Sequence, residues 1–397
     1  MTSGSGKRGI ASWLSGRGVR LQVACLLALP LAGCRPHDFP QYPPDYREYV
    51  YVTNGGSATV SVFDVVNVRL DRVIAVGQNP VALAASNTRN EVYVVNAGAA
   101  TGLGSVSVIN AENNTVAATI PVRKRPAAIA LSPDGMLAYV ANSGSDNVSV
   151  LDVKTRRQIA QIGVGDEPVA LRVSPDSKTL VVANRQGNSV SVIDTATRQI
   201  RAIFEGCPGA NDVVILPDSS RAFAACSTGH QIMSVALARP GTHPGSADRL
   251  EALLDVGHGP VQLALKPDGG ELFVSNSLSD SISEVVTGTN DVGGAYLMGD
   301  EPVLGLVSRD NAMLYVANLN SQDVTIYSID DGKRVGAIHV GDGPVALAFS
   351  GAGHLLFVVD SRSDDVAVAR TSSASLFTLL PTGRSPNAIV DKAFKVH

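Results

Sequence analysis

A four-residue string recurs along the chain at nearly constant spacing, and few folds accommodate such repetition. Tyr51-Val52-Thr53-Asn54 returns as Tyr93-Val94-Val95-Asn96, Tyr139-Val140-Ala141-Asn142 and Val181-Val182-Ala183-Asn184. A weaker copy, Phe223-Ala224-Ala225-Cys226, precedes Phe273-Val274-Ser275-Asn276, Tyr315-Val316-Ala317-Asn318 and Phe357-Val358-Val359-Asp360. Five of the seven intervals are 42 residues, and the other two are 46 and 50. The period is therefore 42 with two insertions, and a period of about 40–45 residues is that of a propeller blade.

Each period holds four strand-like runs. In the third unit the string at 139–142 is followed by an alternating run at 147–152, then 157–164 and 168–174, with Gly, Asn, Asp, Ser and Pro between them as turn formers. Runs such as Val81–Ala85, Ala127–Leu131 and Val345–Phe349 are apolar and built largely from small residues. Blades crowd at the axis, so these runs are assigned to the innermost strand, a. The recurring string is then strand b, the Ser-Val-x-Val run is c, and the next run is d. The chain opens with b, c and d and ends on an a-type run at 387–390. The last strand is thus expected to complete the first blade and close the ring, which removes sheet edges. The fold expected is all-β, a single β-propeller of four-stranded blades, eight of them, with seven as the alternative count.

With these residues the chain resembles the YVTN-repeat β-propeller proteins, whose name is the string at 51–54. The resemblance covers about 49–391 and implies the fold without implying an activity. Members of that family are often described with seven blades; the eight units here depart from that number.

The N-terminus reads as a processing signal. Lys7, Arg8, Arg17 and Arg20 precede a short apolar stretch at 21–31, which ends in Leu31-Ala32-Gly33-Cys34. That tetrapeptide matches the lipobox of bacterial lipoproteins, so Cys34 is expected to be lipidated and to become the first mature residue. Arg35 in place of Asp favours the outer membrane by the same resemblance. The expected layout is a signal at 1–33, the lipidated cysteine and a Pro-rich tether at 34–49, a propeller at 50–391 and a tail at 392–397. The formal charge of −4 becomes −8 once the signal's four cations are removed, which argues against nucleic acid as the partner. The chain is expected to be monomeric, attached to the membrane through the lipid alone.

The repeats supply their own comparison: a residue shared by all units serves the blade, and one that departs is a candidate for function. The Asn that ends strand b is shared and reads as a turn residue, as do Asp64, Asp152 and Asp194 after strand c. Departures gather on the face formed by the d–a and b–c connections, where Asn79, Arg123, Arg125, Glu167, His258, Glu301, Asp342 and Ser385 are expected to ring the channel mouth. Cys226 replaces the shared Asn and Cys207 lies in the preceding d–a connection, so the two are disulfide candidates. Their spacing with His230 and His258 matches no zinc signature, and no metal site is expected.

No catalytic motif is legible, and no Cys-x-x-Cys-His for haem attachment occurs, so no cofactor is predicted. The leading expectation is a non-enzymatic scaffold, lipid-anchored to the outer membrane and facing the periplasm, which binds an envelope protein or a small ligand. Two alternatives follow from resemblance of fold. One is a lactonase-like hydrolase using Arg125, Glu167 or His258, and the other is a propeller holding a non-covalent cofactor, as haem-bearing propellers do.

Overall fold

The structure, a computed structural model, describes residues 40–238 and 247–396. The expected signal at 1–33 and Cys34 lie outside the described residues. Among the described residues thirty-two strands, numbered in chain order, form eight four-stranded antiparallel sheets. One blade contains β4 (Pro80–Ala85), β5 (Glu91–Asn96), β6 (Ser105–Asn110) and β7 (Thr115–Pro121), paired in that order. These are the expected strands a to d, and every blade repeats the order.

The first blade is completed from both ends of the chain. β1 (Tyr46–Asn54) pairs with β32 (Pro386–Lys395) along its whole length, from Tyr46 opposite Lys395 to Asn54 opposite Pro386. This pairing closes the ring, and it moves two expected boundaries. Residues 46–49, expected in a tether, belong to β1, and the expected tail supplies Lys392–Lys395 to the same ladder. The propeller therefore spans 46–395.

Strands b and c are buried on both faces, as in β5, whose six residues are all buried, while exposure alternates along outer strands such as β11 (Arg157–Gly163). Eight apolar clusters form, each shared by two adjacent blades; Tyr93 and Val95 of one blade, for example, pack with Ala138, Val140 and Leu151 of the next. The aromatic that starts seven of the eight b strings fills this space. Tyr51, Tyr93, Tyr139, Phe223, Phe273 and Phe357 are among the largest fully buried side chains. Truncating one to Ala is expected to cost about 3–5 kcal/mol, since the blades on either side cannot close the gap.

The shared Asn is structural, as its repetition implies. Asn96 Nδ2 donates to the hydroxyls of Ser105 and Ser107 on strand c, at 3.1 and 3.0 Å. Asn54, Asn184 and Asn276 do the same with their own blades' hydroxyls. A glycine from the d–a connection lies against each of these four amides: a Cβ on Gly77 would sit 2.6 Å from Asn96 Cγ. The strand-c acids start turns, with Asp152 Oδ1 accepting from Thr155 N at 2.6 Å and Asp194 Oδ1 from Thr197 N at 2.7 Å.

Three blades break this Gly–Asn contact; in the third, Arg123 stands at the glycine position beside Asn142. In the fifth, Cys207 stands at the glycine position and Cys226 at the Asn position, and they are bonded with Cα atoms 4.7 Å apart. An Asn at 226 would find Met233 where other blades offer a hydroxyl, so the bridge takes the place of a hydrogen bond strand c cannot receive. In the eighth, Asp360 replaces Asn and faces Asp365.

Candidate functional site

The residue before each inner strand has a left-handed backbone. Asn79, Arg125, Glu167, Glu301 and Ser385 have φ between 48° and 58°, and Gly209, Gly259 and Gly343 fill the remaining places. This geometry turns the d–a connection sharply into strand a, where proline then fixes the first residue in seven of eight blades. The carbonyl of the left-handed residue accepts from the residue after the shared Asn, as in Ala97 N to Asn79 O and Arg185 N to Glu167 O. In five blades its amide donates to a b–c turn residue, as Glu167 N does to Asp146 Oδ1 at 2.9 Å. Main-chain bonds carry the structure, so the side chains at this ring are free to differ.

Three of the expected mouth residues come together. Asn79, Arg125 and Glu167 line a cavity of about 680 Å³, with Val81, Ala127 and Val169 as its apolar wall. Arg125 Nη2 lies 3.5 Å from Glu167 Oε1; the arginine side chain is 58% exposed and the glutamate 15%. Arg185 joins them from the end of its b strand. It was not among the expected residues, although the same comparison of repeats singles it out: the position after the shared Asn is otherwise Gly, Ala, Ser or Leu.

The other expected residues lie elsewhere on this face. Arg123 occupies the glycine position of its blade, and its amide donates to Asn142 Oδ1 at 3.3 Å. Glu301 accepts from Asn320 Nδ2, and Asp342 pairs with Arg362 at 3.7 Å. Ser385 N donates to Asp364 Oδ1 at 2.7 Å. His258 stacks on His230 with ring centroids 4.6 Å apart, while His230 Nδ1 accepts from Gly259 N. The two cysteines are bonded to each other.

Below the mouth the inner strands of the fourth to sixth blades carry polar residues where others carry small apolar ones. Asp212, on β16 (Ala210–Ile215), accepts from Val213 N and Leu263 N and faces Arg172 Nη2 at 3.6 Å. Burial pushes its pKa up against the pull of Arg172. At the opposite mouth, beside a cavity of about 590 Å³, the closing blade is tied to both neighbours. Glu48 accepts from Gly351 N at 2.5 Å on one side, and Lys392 Nζ donates to Ser86 O at 2.6 Å on the other. Asp391 shares a hydrogen bond with Glu48, and burial with that negative neighbour raises its pKa.

A family profile described as "Lactonase, 7-bladed beta-propeller" matches residues 46–217. The match stops within the fifth of the eight blades. No curated protein matches the sequence. Among solved structures, a hydrazine synthase of Kuenenia stuttgartiensis is 22% identical over 70% of this chain and 91% of its own, with a TM-score of 0.55. A putative 6-phosphogluconolactonase from Bacteroides uniformis is 17% identical, covering 88% of this chain and all of its own, at a TM-score of 0.61. A dihydro-heme d1 dehydrogenase in complex with DHE is 14% identical over 75% of this chain and 64% of its own, also at 0.61. At these identities the likeness is one of fold.

Proposed function

We propose that the propeller is a lactonase-type hydrolase whose reaction site is the mouth cavity holding Arg125, Glu167 and Arg185. One coincidence supports this reading: the segment similar to the lactonase family, 46–217, also supplies every residue that lines the cavity. Hydrolysis of a lactone needs a base for water and positive charge for the carbonyl oxygen. In this scheme the Glu167 carboxylate takes a proton from water as the water oxygen attacks the ring carbonyl carbon. The guanidiniums of Arg125 and Arg185 face the oxyanion that forms. The ring C–O bond then breaks, its oxygen takes the proton back from Glu167, and one hydroxy acid leaves. The apolar wall of Val81, Ala127 and Val169 suits the carbon face of a small ring.

The cellular setting belongs to the same proposal. The protein is anchored by lipid on Cys34 and faces the periplasm, where the Cys207–Cys226 bridge would persist. The deciding assay is hydrolysis of a panel of lactones of differing ring size and charge by the purified propeller. Turnover of any member above the uncatalysed rate supports the reading. A flat panel overturns it and returns the cavity to a non-enzymatic binding role.

A further inference from the structure

Arg185 reaches the mouth cavity as an exposed side chain, yet its guanidinium is tied to a second residue. Nη2 donates to Oδ1 of Asn211 at 2.6 Å, and Asn211 Nδ2 donates to the Val261 carbonyl at 2.7 Å. The strut runs through three consecutive blades. Asn211 is itself a departure from the repeat, because this position of the inner strand is Val in five of the other blades and Ala in a sixth. The seventh is Asn387, which donates to Pro80 O but receives the hydroxyl of Thr53 rather than a cation. The backbone around Asn211 is held independently. Ala210 pairs with Cys226 in the ladder and donates to the Cys207 carbonyl, so the disulfide closes around the segment that presents Asn211.

We infer that Asn211 is a positioning residue that fixes the Arg185 guanidinium at the mouth cavity, ready for an anionic group of the ligand. The inference rests on the hydrolase reading only for the ligand; the strut itself is a statement about Arg185. A mobile arginine loses conformational freedom when it binds, and a side chain already held avoids that loss. Substituting Asn211→Val installs the residue most blades carry, so the blade should fold. Asn211→Asp keeps the acceptor for Arg185.

The test has two readouts on the full propeller. Side-chain NMR of the Arg185 Nε–Hε group, assigned through Arg185→Lys, should report an ordered group in the unaltered protein and in Asn211→Asp. In Asn211→Val the order parameter should fall below about 0.6. An unchanged order parameter in Asn211→Val overturns the strut. In titrations with gluconate as the anionic probe, Asn211→Val should weaken binding about threefold to tenfold, and should add nothing in an Arg185→Ala background. Additive losses overturn the positioning role. If Arg185→Ala binds gluconate as tightly as the unaltered protein, the cavity reading fails while the NMR result still decides the strut.

Discussion

Asp360 stands where six blades place an amide, and replacing it with Asn should stabilise the protein in a pH-dependent way. The side chain is fully buried, and Gly341 N donates to its Oδ2 at 3.0 Å. Across strand c it meets Asp365 instead of a hydroxyl, and Ala367 stands where six blades offer Ser or Thr. Burial, together with the hydrogen bond to Asp365 and its charge, pushes the Asp360 pKa up to about 8. At neutral pH the folded protein therefore holds a proton on Asp360 that the unfolded chain, with a pKa of about 4, has released. Between about pH 4 and pH 8 the native state binds the extra proton, so stability falls as pH rises through that window and levels off above it. At about 1.4 kcal/mol per unit, pH 7 carries a ceiling of roughly 4 kcal/mol, and relaxation of a buried pair reduces this to about 1–3 kcal/mol. Asn removes the proton requirement and supplies Nδ2 as donor. The seventh blade already contains the resulting pair, with Asn318 Nδ2 donating to Asp323 Oδ1 at 2.6 Å. Urea unfolding of Asp360→Asn and the unaltered protein at pH 4.5 and pH 7.5 measures the difference. The variant should gain midpoint at pH 7.5, gain little at pH 4.5, and show a flatter pH profile. Equal profiles for the two proteins, or a loss of stability at pH 7.5, would refute the reasoning.

Three further outcomes follow from the repeat and its departures. Replacing Cys207 and Cys226 together with Ala should lower unfolding stability by about 2–4 kcal/mol, measured against the unaltered protein with and without dithiothreitol, which should affect only the latter. Gly77→Ala should cost about 1–3 kcal/mol, because its Cβ meets the Asn96 amide, whereas Gly163→Ala, with open space around it, should be near neutral in the same urea assay. Cys34→Ser, expressed with its own signal in a bacterial host, should move the protein from the membrane pellet to the soluble fraction; retention in the pellet would contradict the lipid anchor.

The fold was legible because its evidence is internal. Eight copies of one string expose which positions the blade needs, and small residues mark the strand at the axis. The same comparison located Cys207 and Cys226, since both depart in one unit, although the reason for their contact lay in the Gly–Asn packing of other blades. The site was legible only in part. Asn79, Arg125 and Glu167 share a backbone position in consecutive blades, so sequence order places them side by side. Arg123 and His258 sit near that ring in sequence but do not line the cavity, which no pattern of residue types reveals. Arg185 and Asn211 meet only because blades pack edge on around the axis. Glu48 and Asp391 meet only because the two chain ends share one sheet, beyond the boundaries that the repeat length suggested.

The most direct test of the proposed site compares kcat/KM of Glu167→Gln with that of the unaltered protein on the best lactone of the panel. Gln keeps the shape of the side chain and its place beside Arg125 but cannot accept a proton at neutral pH. The account predicts a fall of about a hundredfold or more with unchanged thermal stability, while His258→Ala retains full activity. Full activity in Glu167→Gln, or its loss in His258→Ala instead, would contradict it.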